Sequence, residues 1–121
     1  MIHTVSAEGF DLAQKLQKYT AGKVKDIEKY IPRKARPAAV LAVHFKESRR
    51  GQDKTCTLAL QLPEETLAVR ETTGHMYAAL DIATVEMRRQ LAEYKGKHSK
   101  YGLRHRLVRR LRRNENVQTA E

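Results

Sequence analysis

The segment from residue 55 to residue 62 alternates strictly between apolar side chains and polar or small ones. In a β-strand, successive side chains lie on opposite faces of the sheet. A strand covered on both faces would be apolar throughout, so this pattern predicts a sheet with one covered face and one open face. Any helices must then pack on the covered side alone. The side chains expected on that side are Cys56, Leu58, Leu60 and Leu62.

Three other segments have strand character. They cover residues 2–7, 38–46 and 66–71, and the last two flank the alternating strand through short polar turns. Turns of that length join antiparallel neighbours, so the three later strands should form a meander. Two of these strands also alternate, and their inward side chains are expected to be Leu41, Val43, Phe45, Leu67 and Val69.

A first helix is predicted between the first two strands. Asp11 is a suitable N-cap, and Gln14 follows three residues later, where a capping box places Glu or Gln. Pro32 ends the helix because it cannot continue the backbone hydrogen bonds. The apolar face of this helix ends at either Tyr30 or Ile31.

A second helix is predicted after the meander, and it begins near His75. The hydroxyl of Thr72 or Thr73 can accept an unpaired backbone N–H of its first turn. Its apolar residues recur at steps of three and four, which places them on one helical face. They are Met76, Leu80, Ala83, Met87, Leu91 and Tyr94.

The order of these elements, β-α-β-β-β-α, defines the expected fold class. We predict an α+β fold in which a four-stranded sheet carries both helices on one face. If the first two strands are parallel, the helix between them makes a right-handed crossover.

Positive charge is concentrated at one end of the chain. The net charge is +10, and residues 95–113 hold nine Lys or Arg and no acid. We therefore divide the chain into a compact body, residues 1–96, and a basic extension, residues 97–121. Such an extension attracts polyanions, with nucleic acid as the first candidate and an anionic membrane as the second. A solvated tail without a partner is the simpler alternative.

The sequence offers little support for an enzyme or a metal site. Its five histidines lack the spacing of metal ligands, and Ser6, Ser48 and Ser99 have no evident acid–base partner. Cys56, the single cysteine, is expected to be a buried and inert thiol. His44 is expected on the surface of a strand. We predict no catalytic residue, no metal, no cofactor and no small-molecule substrate.

The expected compartment is the cytoplasm. The N-terminal residues lack the basic end and apolar run of a signal peptide. No apolar stretch approaches the ~20 residues that a bilayer span requires. One cysteine allows no internal disulfide, which suits a reducing environment. We therefore expect a soluble chain, and of the two candidate polyanions we choose nucleic acid, with no membrane as a partner.

Three pieces of the sequence resemble the ribosome hibernation-promoting and ribosome-associated inhibitor proteins. Residues 23–30, KVKDIEKY, are similar to the basic end of that family's first helix. The three-strand meander is the second piece. The third is HMYAALD at residues 75–81, followed in register by MRRQL at 87–91 and YKGK at 94–97. The resemblance covers about residues 1–100 and is to the short form of the family, without a C-terminal dimerisation domain.

This resemblance implies a fold like that of double-stranded-RNA-binding domains and a role on the ribosome. The chain would bind 16S rRNA of the small ribosomal subunit in the channel for messenger and transfer RNA, and block translation by occupying it. We expect a monomer when it is free. The basic positions that match the family are Lys23, Lys29, Arg89, Lys95 and Lys97. We include further residues among the candidate rRNA-binding positions because of their charge alone. They are Lys25, Arg88, Lys100, Arg104, Arg106, Arg109 and Arg110.

The chain also departs from the family pattern. Asp26 and Glu86 stand where lysines are usual, and Arg88 stands where an acid is usual. His75 replaces an Asp at the start of the second helix. These differences leave the net charge unchanged but place the cations at other positions. We expect Arg88, Arg89 and Lys95 to share one exposed side of the second helix.

Two alternatives remain open at this point. Tyr94 and Tyr101 lie among the cations and could stack on an unpaired base, although Tyr94 also fits the end of the apolar stripe. The second alternative concerns function. A regulatory module that binds a protein, such as a transcription-factor subunit, through the open sheet face would fit the same pattern.

Overall fold

The computed structural model describes residues 1–98. It confirms the element order: strand β1 (Ile2–Glu8), helix α1 (Gln14–Tyr30), a 3₁₀ turn (Arg36–Ala38), strands β2 (Val40–Glu47), β3 (Lys54–Gln61) and β4 (Thr66–Thr73), and helix α2 (Met76–His98). Within this range the chain falls into two units. The first is Met1–Leu91, and the second begins at Ala92.

The four strands form one sheet in the order β1-β2-β3-β4. β1 pairs with β2 in parallel, whereas β2–β3 and β3–β4 are antiparallel. Val43 shows the register, since it lies opposite Val5 on one side and Leu58 on the other. The α+β fold, with α1 connecting two parallel neighbours, therefore agrees with the prediction.

One face of the sheet is buried and the other is open. The alternation of β2, β3 and β4 is confirmed, because every side chain predicted to face inward on these strands is buried. The helices cover this face. α1 contributes Leu16, Thr20, Val24 and Ile27 to the core, and α2 contributes its own stripe. The buried side chains of α2 in the first unit are Met76, Ala79, Leu80, Ala83, Thr84, Met87 and Leu91.

The start of α1 differs from the prediction. The N-cap residue is Ala13, with no side-chain hydrogen bond, and Asp11 lies two residues before it. A side chain caps a helix only from the N-cap position itself, so the prediction for Asp11 was wrong. Instead, the Gln17 amide donates to the carbonyl of Leu12 at 3.1 Å.

Two alternatives remained from the sequence: Tyr30 or Ile31 at the end of the apolar face of α1, and Thr72 or Thr73 before α2. Ile31 is 1% exposed and Tyr30 49% exposed, so Ile31 ends the apolar face of α1. Before α2, the hydroxyl of Thr73 accepts the backbone N–H of His75 at 3.1 Å, which orders the turn that leads into the helix but does not cap its first turn as predicted. Thr72 instead pairs with the Thr55 hydroxyl on the open sheet face.

Two side chains have notable contacts with the strands, Cys56 within β3 and Gln90 of α2 beside β4. Cys56 is fully buried in β3, as predicted, and burial raises the pKa of its thiol to about 12, which disfavours the reactive thiolate. β4 is an outer strand of the sheet. Its Ala68 carbonyl accepts a hydrogen bond from the Gln90 amide of α2 at 3.2 Å.

Candidate nucleic-acid interface

The exposed side of α1 carries a row of lysines. Lys18, Lys25 and Lys29 follow one another at steps of seven and four residues, which aligns them along one helical face. All three side chains are exposed, and none forms an ion pair with another residue of the range 1–98. Their charge is therefore available to an external anion. Two of them, Lys25 and Lys29, are among the residues predicted to bind rRNA.

Lys23 has a different environment. Its ammonium lies 3.1 Å from Asp81 of α2 and 5.2 Å from the ring centroid of Tyr19. The hydroxyl of Tyr19 donates to the same Asp81 carboxylate at 2.6 Å. The hydrogen bond from Tyr19 lowers the pKa of Asp81, and contact with Asp81 raises the pKa of Lys23. Lys23 therefore helps to join the two helices, and any anion must compete with Asp81 for it.

A second contact of the same kind joins the helices farther along. Arg88 of α2 places a guanidinium nitrogen 3.4 Å from Asp26 of α1, and its guanidinium carbon lies 5.1 Å from the ring centroid of Tyr30. The Nε of Arg88 is buried without a hydrogen-bond partner. Asp26, Arg88 and Tyr30 form a unit that we call the interhelix clamp.

The clamp explains two of the departures from the family pattern. Asp26 and Arg88 invert the charges usual at these positions, and the two residues face each other. We expect Arg88→Glu to lower the free energy of unfolding by about 1 kcal/mol, because a carboxylate would then face Asp26. Adding Asp26→Lys should restore stability to within about 0.5 kcal/mol of the wild type.

Urea denaturation of the two single variants and the double variant measures this as a double-mutant cycle. Both partners are more than a third exposed (34% and 39%), so solvent screening keeps the coupling small. A double variant no more stable than Arg88→Glu alone would show that the two charges do not interact.

Arg89 points away from the clamp. Its Nε donates to both carboxylate oxygens of Glu86, each at 3.0 Å, and the hydrogen bond from Arg89 lowers the pKa of Glu86. Adjacent residues of an α-helix are about 100° apart, so Arg88 can turn toward α1 while Arg89 turns away. The expectation that these two residues share one exposed side was therefore wrong.

The remaining predicted cations lie at or beyond the end of α2. Lys95 and Lys97 are exposed in its last turn, and Tyr94 is buried, as the apolar stripe predicts. Tyr94 also contacts the ring of His98 at 4.6 Å between centroids. Tyr101 and most of the basic extension lie outside the described residues. The predicted rRNA-binding residues in that segment are Lys100, Arg104, Arg106, Arg109 and Arg110.

Sequence reasoning missed the basic loop after α1. Arg33 and Lys34 are exposed there, directly beyond the end of the lysine row. Arg36 donates to the backbone carbonyls of Ile31 at 2.9 Å and Lys29 at 3.1 Å, which holds its charge against the end of α1. The signal was present in the sequence, since residues 29–36 hold four cations and no acid. A cation at a helix C-terminus is also favourable in itself.

The open sheet face carries polar groups that the sequence did not connect. The Ser6 hydroxyl lies 2.7 Å from Nδ1 of His44, and Nε2 of His44 lies 3.4 Å from the Glu8 carboxylate. Ser6 therefore has an acid–base neighbour, contrary to the expectation from sequence. All three side chains are exposed or half-exposed, so we interpret the contacts as surface hydrogen bonds that connect β1 and β2.

Within residues 1–98, no group of three or more His, Cys, Asp or Glu side chains could hold a metal ion. No helix in the same range is both long and apolar enough to cross a bilayer.

Comparison with known proteins gives a family match and a fold match. The family model described as sigma 54 modulation protein / S30EA ribosomal protein matches residues 3–99. A ribosomal subunit interface protein from Coxiella burnetii has a similar structure, with a TM-score of 0.67 and 21% identity, over 80% of this chain and 100% of that one. The N-terminal domain of Thermus thermophilus Protein Y gives a TM-score of 0.66 and 17% identity, over 78% of this chain and 99% of that one. No curated protein matches the sequence significantly.

Proposed function

Because the chain belongs to the sigma 54 modulation protein / S30EA ribosomal protein family, we propose that it binds the small ribosomal subunit and keeps idle ribosomes from translating. The proposed target is 16S rRNA in the channel that messenger and transfer RNA occupy. The observation that carries this proposal is the row of exposed lysines on α1, which form no ion pair within residues 1–98, continued by the basic loop.

Ribosomal RNA suits this surface for physical reasons. Helical RNA has a deep, narrow major groove that side chains do not read, so proteins recognise its shape, its phosphates and its 2′-hydroxyls. A rigid helix with cations at steps of four and seven can contact successive phosphates along a backbone. Each contact releases condensed counterions, which supplies much of the binding free energy.

Two of the acids on the two helices are paired with cations of the neighbouring helix. Asp26 and Asp81 are held between α1 and α2 by Arg88 and Lys23, so their charge is balanced locally. Lys25 and Lys29 keep their positive charge on the exposed side. The proposed binding surface therefore consists of Lys25, Lys29, Arg33 and Lys34, which we call the α1 basic surface.

The proposed mechanism is steric occupancy without chemistry. The folded body fills the path of transfer RNA, while the α1 basic surface and the basic end of α2 neutralise phosphates. The basic extension, with Lys100, Arg104, Arg106, Arg109 and Arg110, would follow rRNA beyond the body. On this proposal the protein acts in the cytoplasm as a monomer that needs no cofactor.

The test is competition on isolated small subunits. The protein should cosediment with them and displace transfer RNA in proportion to its own binding. Its affinity should fall steeply with salt, since log K falls by about 0.9 per phosphate contact for each unit of log salt on duplex nucleic acid. Binding that leaves transfer RNA in place would disprove occupancy of the channel.

The same salt series separates this proposal from the alternative regulatory role. A protein partner bound on the open sheet face would be held mainly by burial of surface around Ala42, Ala59 and Ala68, which form one row across the sheet. Affinity from such burial changes little between low and moderate salt. A salt-insensitive complex with a protein, in the absence of binding to small subunits, would favour the alternative.

A further inference from the structure

Tyr30 is an exposed aromatic side chain inside the α1 basic surface. The geometry points to a site on Tyr30 that stacks one unpaired RNA base, with Arg88 packed against the other face of the ring. This inference rests on the proposed function and deepens it, because it specifies single-stranded RNA at one point of a surface otherwise suited to RNA helices.

The position of Tyr30 is not explained by the core. Its neighbour Ile31 and the preceding Ile27 are each 1% exposed, whereas Tyr30 is 49% exposed. Tyr19 and Tyr94, by contrast, are engaged within the fold, the first with Asp81 and the second by burial. Tyr30 therefore presents a large aromatic surface to solvent in the part of the chain that the structure describes.

Within the interhelix clamp, Arg88 holds the ring of Tyr30 in an orientation that suits a stacked ligand. The guanidinium carbon of Arg88 lies 5.1 Å from the centroid of Tyr30, which is the range of a cation–π contact and fixes the side chain in place. A guanidinium over one face leaves the opposite face for a planar partner. The 3.4 Å contact between Arg88 and Asp26 also holds the guanidinium in place beside the ring.

The surrounding charges fit a nucleotide chain. Lys29 precedes Tyr30, and the exposed Arg33 and Lys34 follow it within four residues. Arg36 is fixed against the same helix end by its two hydrogen bonds to backbone carbonyls. A base stacked on Tyr30 would thus bind next to a segment whose exposed cations can contact its flanking phosphates.

An unpaired base is the ligand class that uses all of these features. Bases in a helix are already stacked on their neighbours, and RNA-binding proteins place aromatic and Arg side chains against bases that are splayed out. Stacking on an aromatic ring accepts any base, because every base has a π-face. The site should therefore favour single strands with little preference for sequence.

The test compares labelled single-stranded and duplex RNA of about the same length, titrated with the full-length chain by fluorescence anisotropy. Tyr30→Leu should weaken binding of the single strand by about tenfold, since one stacked base contributes on this order. Duplex binding should stay within about twofold. Tyr30→Phe, which keeps the ring, should bind as the wild type does.

Tyr77→Leu is the matched control. Tyr77 is also exposed, at 37%, but its ring contacts Tyr19, 4.9 Å away between centroids. This variant should bind both RNAs normally. Tyr30→Leu should also keep the wild-type salt slope, because stacking releases no counterions, whereas loss of a phosphate contact would reduce that slope.

Equal single-strand affinity of Tyr30→Leu and the wild type would overturn the stacking site, as would an equal loss on duplex RNA. Cosedimentation of the wild type with small subunits is scored separately. If Tyr30→Leu weakens single-strand binding but the wild type does not cosediment with small subunits, the ribosomal role is refuted and the stacking site is not. Normal single-strand binding by a Tyr30→Leu protein that still cosediments would refute the stacking site alone.

Discussion

Reversing the charge of Lys25 and Lys29 together should lower the affinity for the small ribosomal subunit by about a hundredfold or more at moderate salt, on the scale of losing two phosphate contacts and gaining repulsion. Both side chains are exposed on α1 without an ion-pair partner within residues 1–98. The double variant Lys25→Glu/Lys29→Glu should therefore fold normally. Cosedimentation with small subunits over a salt series measures the effect, and the salt slope should fall by about two.

A variant with the same change in net charge provides the control. Lys46 and Arg70 are exposed on the open sheet face, away from the helices. Lys46→Glu/Arg70→Glu should retain most of the affinity if binding depends on where the charges lie. Equal losses in the two double variants would mean that only total charge matters, and the α1 basic surface would lose its special role.

The largest expected effect on stability is that of Gly9→Ala. Gly9 has φ of +89°, a conformation that residues with a Cβ rarely adopt. A Cβ at this position would also lie 2.5 Å from the backbone oxygen of Glu47, which cannot move without disturbing the end of β2. We expect a loss of about 2 kcal/mol or more in the free energy of unfolding, measured in urea.

Gly22→Ala is the opposite case in the same protein. Gly22 lies in the middle of α1, exposed, and a Cβ there would have no atom within 4 Å outside its own helix backbone. This variant should be more stable than the wild type by about 0.5–1 kcal/mol, because Ala costs less entropy in a helix than Gly. If both variants were destabilised equally, the strain assigned to Gly9 would not be the cause.

The sheet could be predicted from the sequence because its signal is periodic. Alternation in residues 55–62 requires only that one face be covered, and Cys56, Leu58 and Leu60 are all fully buried. The N-cap of α1 could not be predicted in the same way. Asp11 and Ala13 differ by two residues, and which of them begins the helix depends on the local path of the chain rather than on composition.

The binding surface was harder to predict than the fold. Charge identifies Lys23 and Lys25 as equal candidates, yet Lys23 faces Asp81 of the other helix and Lys25 faces solvent. Such partners lie far apart in sequence and come together only when the helices pack. Tyr30 was missed for a related reason, since it shares an apolar character with Ile31 and only one of them fits in the core.

The clamp also changes how departures from a family are interpreted. Asp26 and Arg88 are two separate exceptions when the sequence is compared with the family pattern. In the folded chain they are one contact of 3.4 Å between helices. Exchanging the charges of a facing pair preserves the attraction while it alters which helix presents the cation, so the two positions have to be compared with the family pattern together.

The hydrogen bond from Gln90 to the Ala68 carbonyl has a consequence for self-association. Outer strands expose unpaired carbonyls and amides that can recruit further strands and seed fibrils. An extended peptide adding alongside β4 would have to displace the Gln90 amide from a 3.2 Å contact. The helix thus protects the middle of this outer strand from pairing with a strand of another molecule.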